Sequence, residues 1–438
     1  MLDARQTPGA EPAPATLSPQ PGVFAGQRGP APVAPRQRIA TIDILRGFAL
    51  LGILLVNMQL FNGSFVGMIA GLGDPSAPLD QWARWLVVFL AEGKFYSIFA
   101  LLFGLGLALQ YQRAEAQGTR FGPYWLRRMA VLLLIGLVHA YLIWTGDILI
   151  LYSLLGALLL LWRKARPRTL LIWALLLLLI PLLINAALWG LVTLGAQSMG
   201  EDAMSQVLNQ QMDEFRRLAA ESDVVYATGS YAAITELRFN EMNIVYTTLP
   251  FMAPNVFAMM MLGLYAGRRR IFEDIPAHLP FIRRLWLWGL VIGVIGNFLY
   301  VYFGEQSART TPSPQLLLSL AGQTFGAPAL AIFYMTSLTL LAQSETWRRR
   351  LAPLSSVGRM ALTNYLLQSL TCTLIFYGYG LGMYGQIGAA GTVVLALAIY
   401  TVQVFFSNWW LRRFQFGPME WLWRTFTYGK RQPMEIAV

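Results

Sequence analysis

Apolar runs long enough to cross a bilayer return about ten times between residues 39 and 410, and this recurrence restricts the fold more tightly than any single motif. Crossing about 30 Å of hydrocarbon at about 1.5 Å per residue takes roughly 20 apolar residues. The runs lie near 39–61, 84–111, 124–144, 147–162, 169–196, 241–266, 284–303, 315–342, 355–380 and 388–410. Lipid offers the backbone no water, so each run must satisfy its own amides and fold as a helix. Composition agrees, with 56% of residues hydrophobic and 13% charged, against roughly 25% charged in a soluble domain. The expected fold class is all-α, a polytopic membrane helix bundle of about ten transmembrane helices.

The net charge of +11 is explained by where the basic residues sit. Clusters between Arg113 and Arg128, Arg163 and Arg168, Arg268 and Arg284, and Arg348 and Arg359 occupy alternate gaps between spans. Others lie at or before Arg46 or after residue 410, and only Arg84, Lys94, Arg216, Arg217, Arg238 and Arg309 fall elsewhere. That bias places both termini in the cytoplasm and turns the basic surface toward anionic lipid rather than nucleic acid. The lone cysteine, Cys372, sits in an apolar span and reads as packing; no Cys/His cluster offers a zinc site.

Three parts follow. Residues 1–35 hold eight prolines and no apolar run, the composition of a disordered cytoplasmic tail. Residues 36–410 are the transmembrane bundle, with an outer loop at 197–240. In that loop Met204, Leu208, Met212, Phe215 and Leu218 recur at helical spacing, which predicts an amphipathic helix. Residues 411–438 interleave tryptophan with arginine and read as a cytoplasmic surface tail. A turn is expected at Asp74-Pro75.

Polar side chains at membrane depth must face protein or a wet cavity, so they mark candidate sites. The first span carries Asp43 and Arg46 one turn apart and a lone amide, Asn57, about 16 Å further along. Glu92 and Lys94 lie near the outer end of the second span, two residues apart and so on different faces. Spans three and four turn through GLVHAYLIWTGDILILYSLLG, where His139 is the one intramembrane histidine and Asp147 stands at a helix-capping position. Arg238 belongs to the polar stretch leading into the sixth span. Gly104 and Gly106 invite close helix contact, and Thr363, Asn364 and Gln368 either line a polar cavity or join helices.

Several blocks together resemble the bacterial YeiB-type family of inner-membrane proteins, a domain-of-unknown-function family. They are IDILRGFALLGILLVN with Asp43, Arg46, Gly47 and Asn57; EGKFYSIFALLFGLG at 92–106; His139 with Trp144, Gly146 and Asp147; GSYAAITELR at 229–238; GRMALTNYLLQS at 358–369; and FGPMEWLWRTFTYGKRQP at 416–433. The resemblance implies a multi-pass protein of the bacterial inner membrane. The first-span pattern is also similar to that of multispan acyltransferases, including the lysosomal heparan glucosaminide acetyltransferase and the OpgC type. In the heparan enzyme the position matching Asn57 is an active-site asparagine, and its catalytic histidine follows in the outer loop. Here no histidine lies between 58 and 138, so that role is vacant unless His139 fills it from the third span.

Acyl transfer needs a base on the acceptor and donors for the developing oxyanion. His139 is the candidate base, Asp147 its orienting carboxylate and Asn57 an oxyanion donor. Asp43, Arg46, Glu92, Lys94 and Arg238 are the candidate substrate or polar-pocket residues. The donor suggested is an acyl-CoA, the acceptor a small molecule or glycan at the outer membrane face, and no metal is implied. Structural readings stand beside these: His139 and Asp147 fixing a tight hairpin, Asp43 and Arg46 forming an ion pair that locks the first helix. The alternative function is a transporter or lipid-handling protein, with Glu92, His139 and Asp147 as a proton relay.

Overall fold

A computed structural model describes residues 39–72, 77–307 and 311–436; the expected tail at 1–35 and the turn at Asp74-Pro75 lie outside them. The described residues form helices α1 (Ala40–Phe61), α2 (Phe65–Ala70), α3 (Pro78–Leu90), α4 (Lys94–Ala116), α5 (Phe121–Val138), α6 (Leu149–Leu159), α7 (Pro167–Met199), α8 (Glu201–Thr228), α9 (Tyr231–Arg268), α10 (Ile275–Glu305), α11 (Pro314–Leu341), α12 (Glu345–Arg359), α13 (Ala361–Phe376), α14 (Ala389–Trp410) and α15 (Pro418–Tyr428). Among the described residues, eight helical stretches are long and apolar enough to cross a membrane, and two apolar helices, Leu149–Trp162 and Ala361–Phe376, are shorter. These ten follow the apolar runs in order. The protein is a multi-pass helical membrane protein.

Among the runs that are interrupted or extended relative to the hydropathy pattern, three bear on the candidate residues. The second breaks between α3 and α4, where Gly93 adopts a φ of 85° that a side chain would resist, and a new helix starts at Lys94. The ninth breaks at Met360, leaving α12 with Arg348, Arg349 and Arg350 and only 16 residues of apolar α13, about 24 Å. The sixth begins well before residue 241. Ser230 caps α9 by accepting from the Ala233 amide at 3.3 Å, which draws the polar stretch with Arg238 into the helix.

Packing gathers the bundle around two apolar cores. The first lies mainly between α4 and α9 and includes Leu101, Leu105, Met260 and Leu264. Here a Cβ on Gly104 would overlap the Met260 carbonyl and one on Gly263 the Leu101 carbonyl, so the two backbones approach as only glycine permits. Gly106 makes no such approach. The second core joins α1, α13 and α14 through Leu54, Met58, Cys372, Ala396 and Tyr400, and Trp144 from the α5–α6 corner enters it. Cys372 packs with its Sγ 3.6 Å from Met58 Sδ.

The outer-loop helix forms as α8, with Met204, Leu208, Met212, Phe215 and Leu218 half-buried and α7 and α2 among its neighbours. Its other face pairs Arg216 with Asp213 at 2.9 Å and Arg217 with Glu214 and Glu221. At the far end of the chain α15 docks on α5. The Trp423 indole donates to the Arg128 carbonyl at 2.9 Å, and the Arg128 guanidinium lies 3.6 Å over that ring.

Candidate functional site

The site is built where α5 ends. Its last turn, His139–Ile143, is a π turn closed by the Trp144 amide donating to the His139 carbonyl at 2.8 Å. Single π turns are rare and recur at functional sites. A helix end leaves carbonyls without intrahelical partners. One of them, the Leu142 carbonyl, accepts from the Tyr231 hydroxyl at 2.8 Å and from Arg238 Nη1 at 2.9 Å. Arg238 is fully buried, and its cation lies where the helix dipole favours positive charge. Its Nη2 donates to the Tyr379 hydroxyl at 3.2 Å. Arg238 thus clamps the turn that carries His139.

His139 is held on both ring nitrogens. Nδ1 lies 2.7 Å from Asp147 Oδ2, and Nε2 lies 2.9 Å from the Ser369 Oγ on α13. The second Asp147 oxygen accepts from the Ile150 amide at 2.7 Å, capping the first turn of α6 as the sequence predicts. The histidine is 0% exposed, the Asp147 side chain 1% and Ser369 1%. With Asp147 ionised and the imidazole neutral, Nδ1 donates to the carboxylate and Nε2 accepts from the serine hydroxyl. The other acceptor in reach of that hydroxyl, the Tyr365 carbonyl, is further away at 3.4 Å. Tyr365 also steadies the corner, its ring 5.0 Å from the imidazole and its hydroxyl donating to the Gly146 carbonyl at 3.3 Å.

Polar contacts continue from the serine along α13. Gln368 donates to Gln403 at 2.8 Å, Gln403 donates to the Asn364 carbonyl at 2.9 Å, and Asn364 donates to Ser407 at 2.9 Å. At the start of α13 the Thr363 hydroxyl donates to Glu420 of α15 at 2.6 Å. The same carboxylate accepts the Leu362 and Thr363 amides at 2.6 and 3.1 Å. Burial pushes the Glu420 carboxyl above its ordinary range, against the pull of the Thr363 hydroxyl and these amides. Asn364 Oδ1 and Gln368 Oε1 are buried without a partner. On the other side of the corner Thr145 donates to Glu241 at 3.2 Å, and Glu241 also accepts the Tyr226 hydroxyl at 2.6 Å.

The remaining sequence-predicted residues are tied elsewhere. Asp43 and Arg46 form an i, i+3 ion pair at 2.7 Å near the start of α1. Glu92 accepts from the Tyr300 hydroxyl on α10 at 2.7 Å, and Lys94 donates to the Val88 carbonyl at 2.9 Å. The turn at Gly93 hands Glu92 to α10. His139 and Asp147 meet directly, whereas no hydrogen bond among the described residues joins Glu92 to either of them. Asn57 is half-buried on the turn of α1 beside Met58, which touches α13 one turn beyond Ser369. No hydrogen bond among the described residues joins Asn57 to Asp147, His139 or Ser369.

A buried carboxylate, imidazole and hydroxyl in line is an arrangement able to activate a serine as a nucleophile. A family profile described as "Protein of unknown function (DUF418)" matches residues 266–430. Over 425 residues the chain is 38% identical to "Uncharacterized protein YxaH" of Bacillus subtilis (strain 168), spanning 92% of this chain and 97% of that protein. The chain belongs to the DUF418 family. It is also 29% identical to "Uncharacterized protein YeiB" of Escherichia coli (strain K12), over 91% of this chain and 98% of that one. A third relative, "Uncharacterized 39.9 kDa protein in amylase 3'region" of Bacillus acidopullulyticus, is 29% identical over 92% of this chain and 97% of that one. No solved structure matches. Ser369 and Glu420 lie inside the DUF418 match, while His139 and Asp147 precede it. Spacing alone points to neither Ser369 nor Glu420. Their signal is membership of the blocks GRMALTNYLLQS and FGPMEWLWRTFTYGKRQP.

Proposed function

We propose that the protein is a bacterial inner-membrane acyltransferase in which Ser369 is the nucleophile, His139 its base and Asp147 the group that orients and stabilises the imidazole. The observation that carries this reading is the pair of contacts on His139, 2.7 Å to Asp147 and 2.9 Å to Ser369. With a thioester donor of the acyl-CoA class, Ser369 Oγ attacks the acyl carbon as His139 Nε2 takes the hydroxyl proton. The carbon–sulfur bond then breaks and the thiolate leaves with that proton. An acceptor hydroxyl or amine displaces the serine in the reverse sense. Asn57 is the candidate donor to the oxyanion.

Thiol release from acyl-CoA by the purified protein tests this reading. His139→Ala is expected to slow release by about 10²–10⁴-fold, with the acyl group found on the Ser369 peptide of the wild type. Release unchanged by His139→Ala, or none across short and long acyl chains, would contradict it.

A second reading, proton-coupled transport, is favoured by the polar contacts from Glu420 along α13 to His139. The unpartnered Asn364 and Gln368 oxygens suit ordered water there. Substrate flux with no covalent change to substrate or Ser369 would select it.

A further inference from the structure

At the Arg-rich end of the bundle, where α4, the link after α6 and the end of α9 meet, lies a cavity of about 470 Å³. Arg163, Lys164, Arg268 and Arg270 line it, and the one carboxylate there, Glu115, accepts from the Tyr111 hydroxyl at 3.2 Å. None of the four cations forms an ion pair with a carboxylate among the described residues. Two of the arginines are held instead by main chain, Arg268 Nη1 on the Arg163 carbonyl at 2.6 Å and Arg163 Nη1 on the Leu160 carbonyl at 2.9 Å. Those bonds fix the two guanidiniums and leave further N–H groups free to donate.

Arg270 supplies an independent observation. It is the non-glycine residue with positive φ, 53°, among the described residues. It closes α9 with its amide on the Gly267 carbonyl at 2.9 Å, followed by the Ile271 amide on the Ala266 carbonyl at 3.1 Å. Glycine is the residue suited to that left-handed position. A bulky cation there is strained backbone beside a cavity, the pattern expected where the side chain has a ligand to meet. Arg270 and Gln112 also line a neighbouring cavity of about 330 Å³.

We propose that this basin binds the phosphate groups of an anionic ligand, gripped by Arg163, Lys164, Arg268 and Arg270. Guanidinium forks match phosphate oxygens, Lys adds a point charge, and the volume falls within the usual range of ligand pockets, about 300–1,000 Å³. Two sources share this chemistry, a soluble nucleotide-type phosphate and an anionic phospholipid headgroup. Neither depends on acyl transfer at the His139 corner.

The test uses the full-length protein in two arms. In phosphatidylcholine nanodiscs, ADP and pyrophosphate are titrated by calorimetry. In detergent, native mass spectrometry counts phosphatidylglycerol retained against phosphatidylcholine. Saturable binding in either arm, weakened about tenfold by Arg270→Gly and by Lys164→Gln, is the expected result and names the source. Arg270→Gly suits the backbone at that position, and Lys164 is exposed, so folding is kept apart from binding. Arg217→Gln on α8 serves as the control and should change nothing. Absence of saturable binding in both arms, or affinities that neither substitution alters, would overturn the proposal.

Discussion

The corner that carries His139 and the basin lined by Arg270 differ in how fully the protein answers their charges. At the corner each charged group has a protein partner: Asp147 has His139 and the Ile150 amide, Arg238 has Leu142 and Tyr379, and Glu241 has Tyr226 and Thr145. In the basin Arg163 and Arg268 are held by main-chain carbonyls, no hydrogen bond holds the Lys164 or Arg270 side chain, and no carboxylate is paired to any of the four among the described residues. Burial explains the difference. A charge removed from water must be answered within the protein, whereas one beside an open cavity can await a ligand. On the two proposals made above, the corner would serve chemistry and the basin binding.

Removing a charge should then be costly at the corner and nearly free in the basin. Asp147→Ala strands both the Ile150 amide and His139 Nδ1, and is expected to destabilise the protein by about 3–5 kcal/mol. Thermal unfolding in detergent measures it, and a loss well under 1 kcal/mol would remove the contrast. In the same assay Arg270→Gly should move the other way, raising stability by up to about 1 kcal/mol because glycine relieves the positive φ.

The smallest effect is expected at Glu420, a half-buried carboxyl on the tail helix. Its carboxyl is held above the ordinary range by burial, so the folded state binds the proton more tightly than the unfolded chain. The stability it contributes is full below the unfolded pKa and is lost as pH rises through the folded one. Unfolding followed across that acidic range should show this slope in the wild type and not in Glu420→Gln. Equal slopes would mean that Glu420 titrates as though unburied.

How much of this was legible in the sequence depends on how far apart the cooperating residues lie. The ten apolar runs are plain because the bilayer imposes their length and character. Their interruptions are not. The break at Met360 is stabilised by Glu420, nearly sixty residues further on, and the break at Gly93 by a backbone conformation that hydropathy does not encode. His139 and Asp147 are readable as a pair because they face each other across one hairpin. Ser369 is not, since it lies 230 residues from His139 on a helix where Thr363, Asn364 and Gln368 are equally plausible polar candidates. Arg238, expected in a polar pocket, secures the end of α5, a role set by the carbonyls that the π turn leaves exposed.

Reaction of the purified protein with a fluorophosphonate, followed by peptide mass spectrometry, tests most directly whether Ser369 is an activated nucleophile, because that reagent needs no knowledge of the natural substrate. An adduct on Ser369 is expected, forming at least about 10²-fold more slowly in Asp147→Asn. An unmodified Ser369, or labelling just as fast in Asp147→Asn, would contradict it.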